Sequence, residues 1–150
     1  MPRPMGGDWL ADEIQSLAAQ GVQVLVSLLT QQESENLQLE EEGSFCAANG
    51  IEFLSFPITD RDVPPQDSAL TDFLGLLQDR IADGKAVAIH CWAGIGRSTI
   101  IASCLLISSG RSVEQIMSMI SRARGYPVPD TRAQLQWVRE FAARAVTENR

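Results

Sequence analysis

The chain of 150 residues is long enough for one domain with a buried core, and its hydrophobic content of 45% is ordinary for a globular protein. The formal net charge of −7 argues against nucleic acid or an anionic membrane as the main partner, so any attraction for phosphate must be local. Three cysteines without a framework pattern suit a reducing cytoplasm, and apolar runs far shorter than ~20 residues predict no membrane span.

Apolar periodicity and glycine stop signals predict helices and strands that alternate along the chain. In order these are a helix over 9–20, a strand over 22–28, two short helices within 31–49, a strand over 51–56, a helix over 66–83, a strand over 85–90, a helix over 99–107, a helix over 112–124 and a last helix from 131 to about 146. This order predicts an α/β fold, with a central, mostly parallel sheet flanked by helices.

Two charged stretches stand out in this order. The triplet Glu40-Glu41-Glu42, in the second helical stretch, is expected to be a solvated face. Residues 57–65, after the second strand, form a polar, proline-bounded loop that carries Asp60, Arg61 and Asp62 and that we name the acid loop. A carboxylic acid beside a phosphate site can donate the proton that a departing alkoxide or phenoxide needs. The alternative is that both carboxylates are turn or helix-cap residues.

The third strand leads into His90-Cys91-Trp92-Ala93-Gly94-Ile95-Gly96-Arg97-Ser98, and an apolar helix follows. We name residues 91–97 the phosphate loop, because a strand, a glycine-bearing loop and a helix N-terminus together bind phosphate through backbone N–H groups. Such surroundings, with a nearby cation, can lower the pKa of a cysteine from ~8.5 to ~3.5–7.5, and thiolate is the nucleophilic form. The pattern therefore indicates attack on phosphorus by Cys91.

The other residues of this stretch have matching roles. Arg97 can hold phosphate oxygens bidentately, in a geometry that lysine could not provide. The intervening loop residues are expected to bind the substrate phosphate through their backbone, together with Arg97: Trp92, Ala93, Gly94, Ile95 and Gly96. The Ser98 hydroxyl could donate to the thiolate that leaves a phospho-cysteine intermediate, and its alternative role is to cap the next helix.

The nine residues from His90 to Ser98 resemble the signature of the cysteine-dependent protein tyrosine phosphatases: His, Cys, five residues, Arg, then Ser or Thr. Trp92 departs from this signature, since small or polar residues are commoner at that position. The resemblance covers residues ~8–145 and implies the fold of that family. It also implies that His90, the only histidine, hydrogen-bonds the loop backbone and helps to hold the thiolate; the alternatives are direct general-base catalysis and an ordinary core position.

The resemblance extends to the acid loop. In that family the general acid is an Asp followed by two residues, then Val and Pro, and Asp60 stands at this position before Val63-Pro64. The family often has Gly two residues after the acid, where this chain has Asp62, so Asp62 remains a competitor for the role.

Thr131 and Gln134 have the spacing of a capping box at the start of the last helix. Related phosphatases carry a Thr and a Gln near here that face the phosphate and position water. The resemblance therefore implies a substrate-binding role for Gln134, next to the capping role that its spacing predicts.

The chain is much shorter than tyrosine-specific phosphatase domains, so it looks like the small dual-specificity branch, with a shallower site. Residues 92–96 include no Lys or Arg, which weakens a phosphoinositide reading. Family members usually have a strand or two before the first helix. We therefore expect the sheet to lack an N-terminal edge strand, or the reading frame to begin upstream.

The sequence as a whole predicts a single phosphatase domain over residues 1–150. It would act on phosphorylated proteins or small phosphate esters, as a cytoplasmic monomer without cofactor, metal, nucleic-acid partner or membrane partner. One alternative is a pseudophosphatase that only docks phosphoproteins. Another is an arsenate reductase or a sulfur transferase, but arsenate-type relatives place their cysteine near the N-terminus and a sulfur transferase would not need Asp60.

Overall fold

The computed structural model describes residues 1–148, and their side chains as far as residue 145. Three parallel strands form the sheet in this part of the chain: β1 (Val24–Ser27), β2 (Glu52–Ser55) and β3 (Val87–His90). Their order is β2-β1-β3, with β1 in the centre. The register sets Ser27 level with Ser55 on one side and with His90 on the other. The three strands therefore end together at one edge of the sheet.

Helices flank this sheet on both faces. Within residues 1–148 they are α1 (Leu10–Ala19), α2 (Gln31–Asn36), α3 (Glu42–Ala48), α4 (Ser68–Ala82), α5 (Arg97–Ile107), α6 (Val113–Arg124) and α7 (Arg132–Glu148). This confirms the predicted α/β class and parallel sheet, and no strand precedes α1 in the described residues. Each predicted strand is present but is shortened to its four central or last residues.

The central strand shows why helices are needed on both faces. All four residues of β1 are buried. Val24 and Val26 belong to a core cluster with residues of α4, α5 and α7, whereas Leu25 belongs to a second cluster with residues of α1 and α3. Because successive strand residues point to opposite faces, a strand that is apolar throughout requires cover on each side.

The N-terminal residues lie against the outer edge of β3. The His90 carbonyl accepts a hydrogen bond from the Leu28 N–H and therefore points toward β1. Because neighbouring carbonyls of a strand alternate in direction, the Ile89 carbonyl points away from β1. The Met1 amino group donates to this Ile89 carbonyl at 2.7 Å, and the Arg3 N–H donates to the Trp92 carbonyl at 3.1 Å. Met1 and Arg3 thus contact the outer edge of β3 and the start of the phosphate loop.

The acidic triplet at the start of α3 differs from the sequence prediction. Glu40 and Glu41 are exposed as expected, but Glu42 is only 1% exposed. Glu42 and Cys46 are four residues apart, so they share the buried face of α3. The prediction of a solvated face is therefore wrong for Glu42, because composition does not reveal which side of a short helix packs inward.

Candidate active site

The phosphate loop connects the carboxyl end of β3 to the first residue of α5. It forms one side of a cavity of about 260 Å³, whose walls include most of the residues predicted from the sequence. The lining consists of Asp60, Arg61, Cys91, Trp92, Ala93, Ile95, Gly96, Arg97, Asp130 and Gln134. Gly94 is not among them: it adopts a positive φ of 72° and its Cα packs closely on the Met1 backbone. His90 and Ser98 are buried behind the loop.

The first four carbonyl groups of the phosphate loop are all held from outside the loop. The contacts are His90 Nδ1 to Cys91 O (3.2 Å), Arg3 N to Trp92 O (3.1 Å), Arg124 Nη2 to Ala93 O (3.2 Å) and Arg124 Nε to Gly94 O (2.9 Å). In a trans peptide the N–H points away from the C=O, so holding the carbonyls on one side turns the amides to the other. The loop is thereby arranged as a set of inward N–H donors.

The Cys91 thiol lies at the centre of these donors and is 3% exposed. Burial alone would raise its pKa, but hydrogen bonds from the Ser98 hydroxyl and from the N–H groups of Ser98 and Gly94 favour the thiolate, as does the charge of Arg97. Together these contacts lower the pKa of Cys91 below its ordinary value. The Sγ to Ser98 Oγ distance is 3.5 Å. Ser98 lies inside α5 and does not cap it, since the N-cap residue is Gly96.

We expect Cys91 to be the first cysteine to react with iodoacetamide or dilute peroxide. Burial raises the pKa of Cys46 to about 12 and raises that of Cys104 further, so both stay protonated where Cys91 is ionised. Because the pKa of Cys91 is lowered, its alkylation rate should fall only when the pH drops through that lowered value. Peptide mass spectrometry across pH 5–9 measures this, with Ser98→Ala as the variant that moves the midpoint upward. Earlier modification of Cys104 would contradict the assignment of the activated thiol.

Arg97 is 1% exposed and is held by α2 and by the acid loop. Its Nη1 and Nη2 atoms contact the two carboxylate oxygens of Glu33 at 2.8 Å each, and Nη1 also donates to the Ile58 carbonyl at 2.8 Å. Nη2 lies 3.0 Å from Asp60 Oδ1. This bidentate pairing orients the plane of the guanidinium at the cavity.

Glu33 was not predicted as a site residue. It is the third residue of α2 and forms a capping box with Thr30. Burial would raise the pKa of Glu33, but its hydrogen bonds with Arg97 and Thr30 outweigh this and lower it. The Thr-x-x-Glu spacing after β1 was the signal available in the sequence, although it predicts only the helix start.

The acid loop places its two aspartates differently. Asp60 lines the cavity and contacts Arg97, while its side chain remains 60% exposed. Asp62 Oδ1 accepts a hydrogen bond from the N–H of Val63 at 2.8 Å, which is a local turn contact, and Asp62 is not part of the lining. Arg61 between them has a φ of 61°, in the left-handed region that non-glycine residues seldom adopt. This turn presents Asp60 and Arg61 to the cavity.

Gln134 makes capping contacts at the start of α7 and also lines the cavity. The Gln134 side-chain oxygen accepts from the Thr131 backbone N–H at 3.2 Å, and the Gln134 backbone N–H donates to Thr131 Oγ1 at 3.1 Å. These two hydrogen bonds are the capping contacts. The same side chain lines the cavity, is fully buried, and donates to the Asp62 carbonyl at 3.3 Å. It therefore bridges the start of α7, the acid loop and the phosphate loop, where the Cα of Gly96 packs against it.

Two general features of the described residues bear on function. No group of three or more His, Cys, Asp or Glu side chains in this part of the chain is arranged to hold a metal ion. None of the described helices is both long enough and apolar enough to span a membrane.

Comparison with known proteins places the chain beside phosphatases. The model of a family described as "Tc-R-P: Polymorphic toxin system, DSP-PTPase phosphatase" matches residues 1–111. Among curated proteins, the Bos taurus protein tyrosine phosphatase type IVA 3 is 35% identical over 78 residues, which are 51% of this chain and 44% of the relative. The Mus musculus protein tyrosine phosphatase domain-containing protein 1 is 29% identical over 136 residues, 85% of this chain and 18% of the relative. The chain thus matches less than half the length of these relatives.

Solved structures share the fold along almost the whole chain. A kinase associated phosphatase with its catalytic cysteine changed to serine superposes with a TM-score of 0.87 at 21% identity, covering 97% of this chain and 85% of that one. Tk-PTP in its active form superposes with a TM-score of 0.77 at 26% identity, covering 96% of this chain and 88% of that one.

Proposed function

The chain belongs to the DSP-PTPase family of cysteine-dependent phosphatases, as the resemblance of residues 90–98 indicated, and we propose that it hydrolyses phosphate monoesters through a phospho-cysteine intermediate. We propose residues 1–150 as a single domain that takes phosphotyrosine and also phosphoserine or phosphothreonine. The observation that carries this proposal is the shared cavity of Cys91, Arg97 and Asp60, in which the cysteine has a lowered pKa.

The first step forms a bond between Cys91 Sγ and phosphorus as the bond from phosphorus to the leaving oxygen breaks. The inward N–H groups of the phosphate loop and the Arg97 fork stabilise the charge on the other phosphate oxygens. The carboxyl group of Asp60 donates its proton to the leaving alkoxide or phenoxide. A phosphate held by Arg97 competes with Asp60 for Nη2, which releases the carboxyl group toward the leaving oxygen.

The second step returns the enzyme to its starting state. Water attacks phosphorus, Asp60 takes a proton from the water, and the bond from phosphorus to Cys91 Sγ breaks. The Ser98 hydroxyl, 3.5 Å from Sγ, donates to the departing thiolate. Gln134 lines the same cavity and is suited to orient the water through its side-chain amide.

The mouth of the cavity supports a broad choice of leaving group. Trp92 is 45% exposed at its rim, and the Arg61 guanidinium, 3.8 Å from the Asp130 carboxylate, lines the cavity where it can contact an anionic substrate. We propose phosphorylated proteins or small phosphate esters as substrates, with the protein acting as a monomer in the cytoplasm. His90 supports the thiolate through the loop backbone, as described below.

The test is phosphate release by the wild-type protein from an aryl phosphate and from phosphotyrosine and phosphothreonine peptides. We expect turnover of all three, fastest for the aryl phosphate because its leaving group departs without much protonation. Phosphate binding without release from any of them would indicate a docking module. Formation of thiocyanate from thiosulfate and cyanide, without phosphate release, would indicate a sulfur transferase.

A further inference from the structure

His90 and Glu42 form a buried pair behind the phosphate loop. His90 is fully buried and Glu42 is 1% exposed. His90 Nε2 lies 2.9 Å from Glu42 Oε1, and Nδ1 lies 3.2 Å from the Cys91 carbonyl oxygen. Among the described residues, neither Nε2 nor Oε1 has any other polar partner, and their mutual alignment falls short of an ideal hydrogen bond. Each ring nitrogen therefore faces one oxygen.

These contacts determine how many protons the pair holds. A carbonyl oxygen can only accept, so Nδ1 must carry a proton. A bare nitrogen and a bare carboxylate oxygen would repel each other at 2.9 Å between two buried side chains, so a second proton lies between Nε2 and Oε1. The pair then has no net charge, whether that proton belongs to the ring or to the carboxyl group. A neutral pair is the form that burial favours.

We propose that Glu42 is a positioning residue, which holds the Nδ1 proton of His90 against the Cys91 carbonyl and thereby orients the first peptide of the phosphate loop. That peptide joins Cys91 to Trp92, and its N–H points away from the carbonyl that His90 holds. The role rests on the proposed function, since it concerns the same thiolate. Glu42 acts through His90 and does not line the cavity.

Other ionisable groups near the pair are few in the described residues. On α3 itself, Cys46 is one turn from Glu42, and its pKa is raised first by burial and second by the charge of Glu42. In the phosphate loop, Cys91 follows His90 directly, and the charge of Arg97 acts on Cys91 from the start of α5. Cys46 and Cys91 are therefore the ionisable side chains next to the pair on α3 and on the phosphate loop.

The protonation of His90 can be measured directly, because it is the only histidine of the chain. Imidazole ¹⁵N spectra of the wild-type protein should show a protonated Nδ1. A bare Nδ1 with the proton on Nε2 would overturn the proposal without any variant. This measurement does not depend on turnover, so it separates failure of the inference from failure of the proposed phosphatase activity.

Two variants then test the effect on the loop. Glu42→Gln can donate an amide N–H to Nε2 and should keep the protonated Nδ1 and nearly wild-type alkylation of Cys91. Glu42→Leu leaves Nε2 unpartnered, and alkylation at pH 6.5 should fall roughly tenfold, the scale of one buried hydrogen bond. Glu40→Leu, at an exposed position nearby, is the matched control and should change nothing. Unchanged Cys91 reactivity in a folded Glu42→Leu protein overturns the positioning role. If Glu42→Leu does not fold, Glu42→Gln decides: a bare Nδ1 or a roughly tenfold loss of Cys91 alkylation in that variant overturns the role.

Discussion

Replacement of Cys91 by serine is expected to abolish phosphate release while the site still binds a phosphate analogue. A serine hydroxyl is not ionised near neutral pH, so the covalent route is lost and kcat should fall by at least ~10⁴-fold. The inward N–H groups and the Arg97 fork remain in place, because they do not depend on the sulfur. Aryl phosphate turnover and calorimetric binding of tungstate measure the two effects separately.

Two further variants make this result specific. Cys104→Ser changes a buried thiol on α5 that is not part of the cavity lining, and it should keep the wild-type rate. Arg97→Lys should lose both rate and tungstate binding, because a lysine cannot reproduce the two-point contact with Glu33 or hold a phosphate bidentately. Near-wild-type turnover by Cys91→Ser would show that the proposed nucleophile is wrong.

The second large effect is expected for Asp60→Asn. An amide cannot donate a proton as an acid, and general acid catalysis typically supplies ~10²–10⁴-fold in rate. The kcat for alkyl and tyrosyl phosphates should fall by about that factor, and the loss should shrink for a nitrophenyl leaving group.

Asp62→Asn is the matched control for this prediction. The Asp62 carboxylate accepts from the N–H of Val63 within its own turn, so its replacement should change kcat little. Both variants are measured with a good and a poor leaving group. A leaving-group-dependent loss in Asp62→Asn, with none in Asp60→Asn, would move the general acid two residues along the loop.

The phosphate loop could be predicted because its chemistry is local in the chain. Cys91 and Arg97 are six residues apart, between a short β-branched run and a long apolar one. Such a segment folds as strand, loop and helix for steric and hydrophobic reasons that neighbouring residues determine. The alternation of helices and strands follows from the same short-range periodicity, and it is sufficient for the α/β class.

The different contacts of the two aspartates are visible only in the tertiary structure. Asp60 and Asp62 have the same side chain and nearly the same position in the sequence, and the resemblance alone favoured Asp60. The left-handed turn at Arg61 sets the directions of the two carboxylates, so that one contacts Arg97 and the other contacts its own backbone. Backbone direction at a single residue is not visible in composition or periodicity.

The partners that hold the site were also decided only by the fold. Glu33 forms an ion pair with Arg97, 64 residues away in the chain, and Arg124 donates to the Gly94 carbonyl, 30 residues away. Glu42, on α3, contacts His90 at the end of β3. In the sequence these residues read as charged helix positions, for which solvent exposure is the usual outcome. Sequence by itself determined which residues lie together in the phosphate loop, because they are neighbours in the chain. Packing decided which charges are buried against them, because burial depends on elements that meet only in the folded protein.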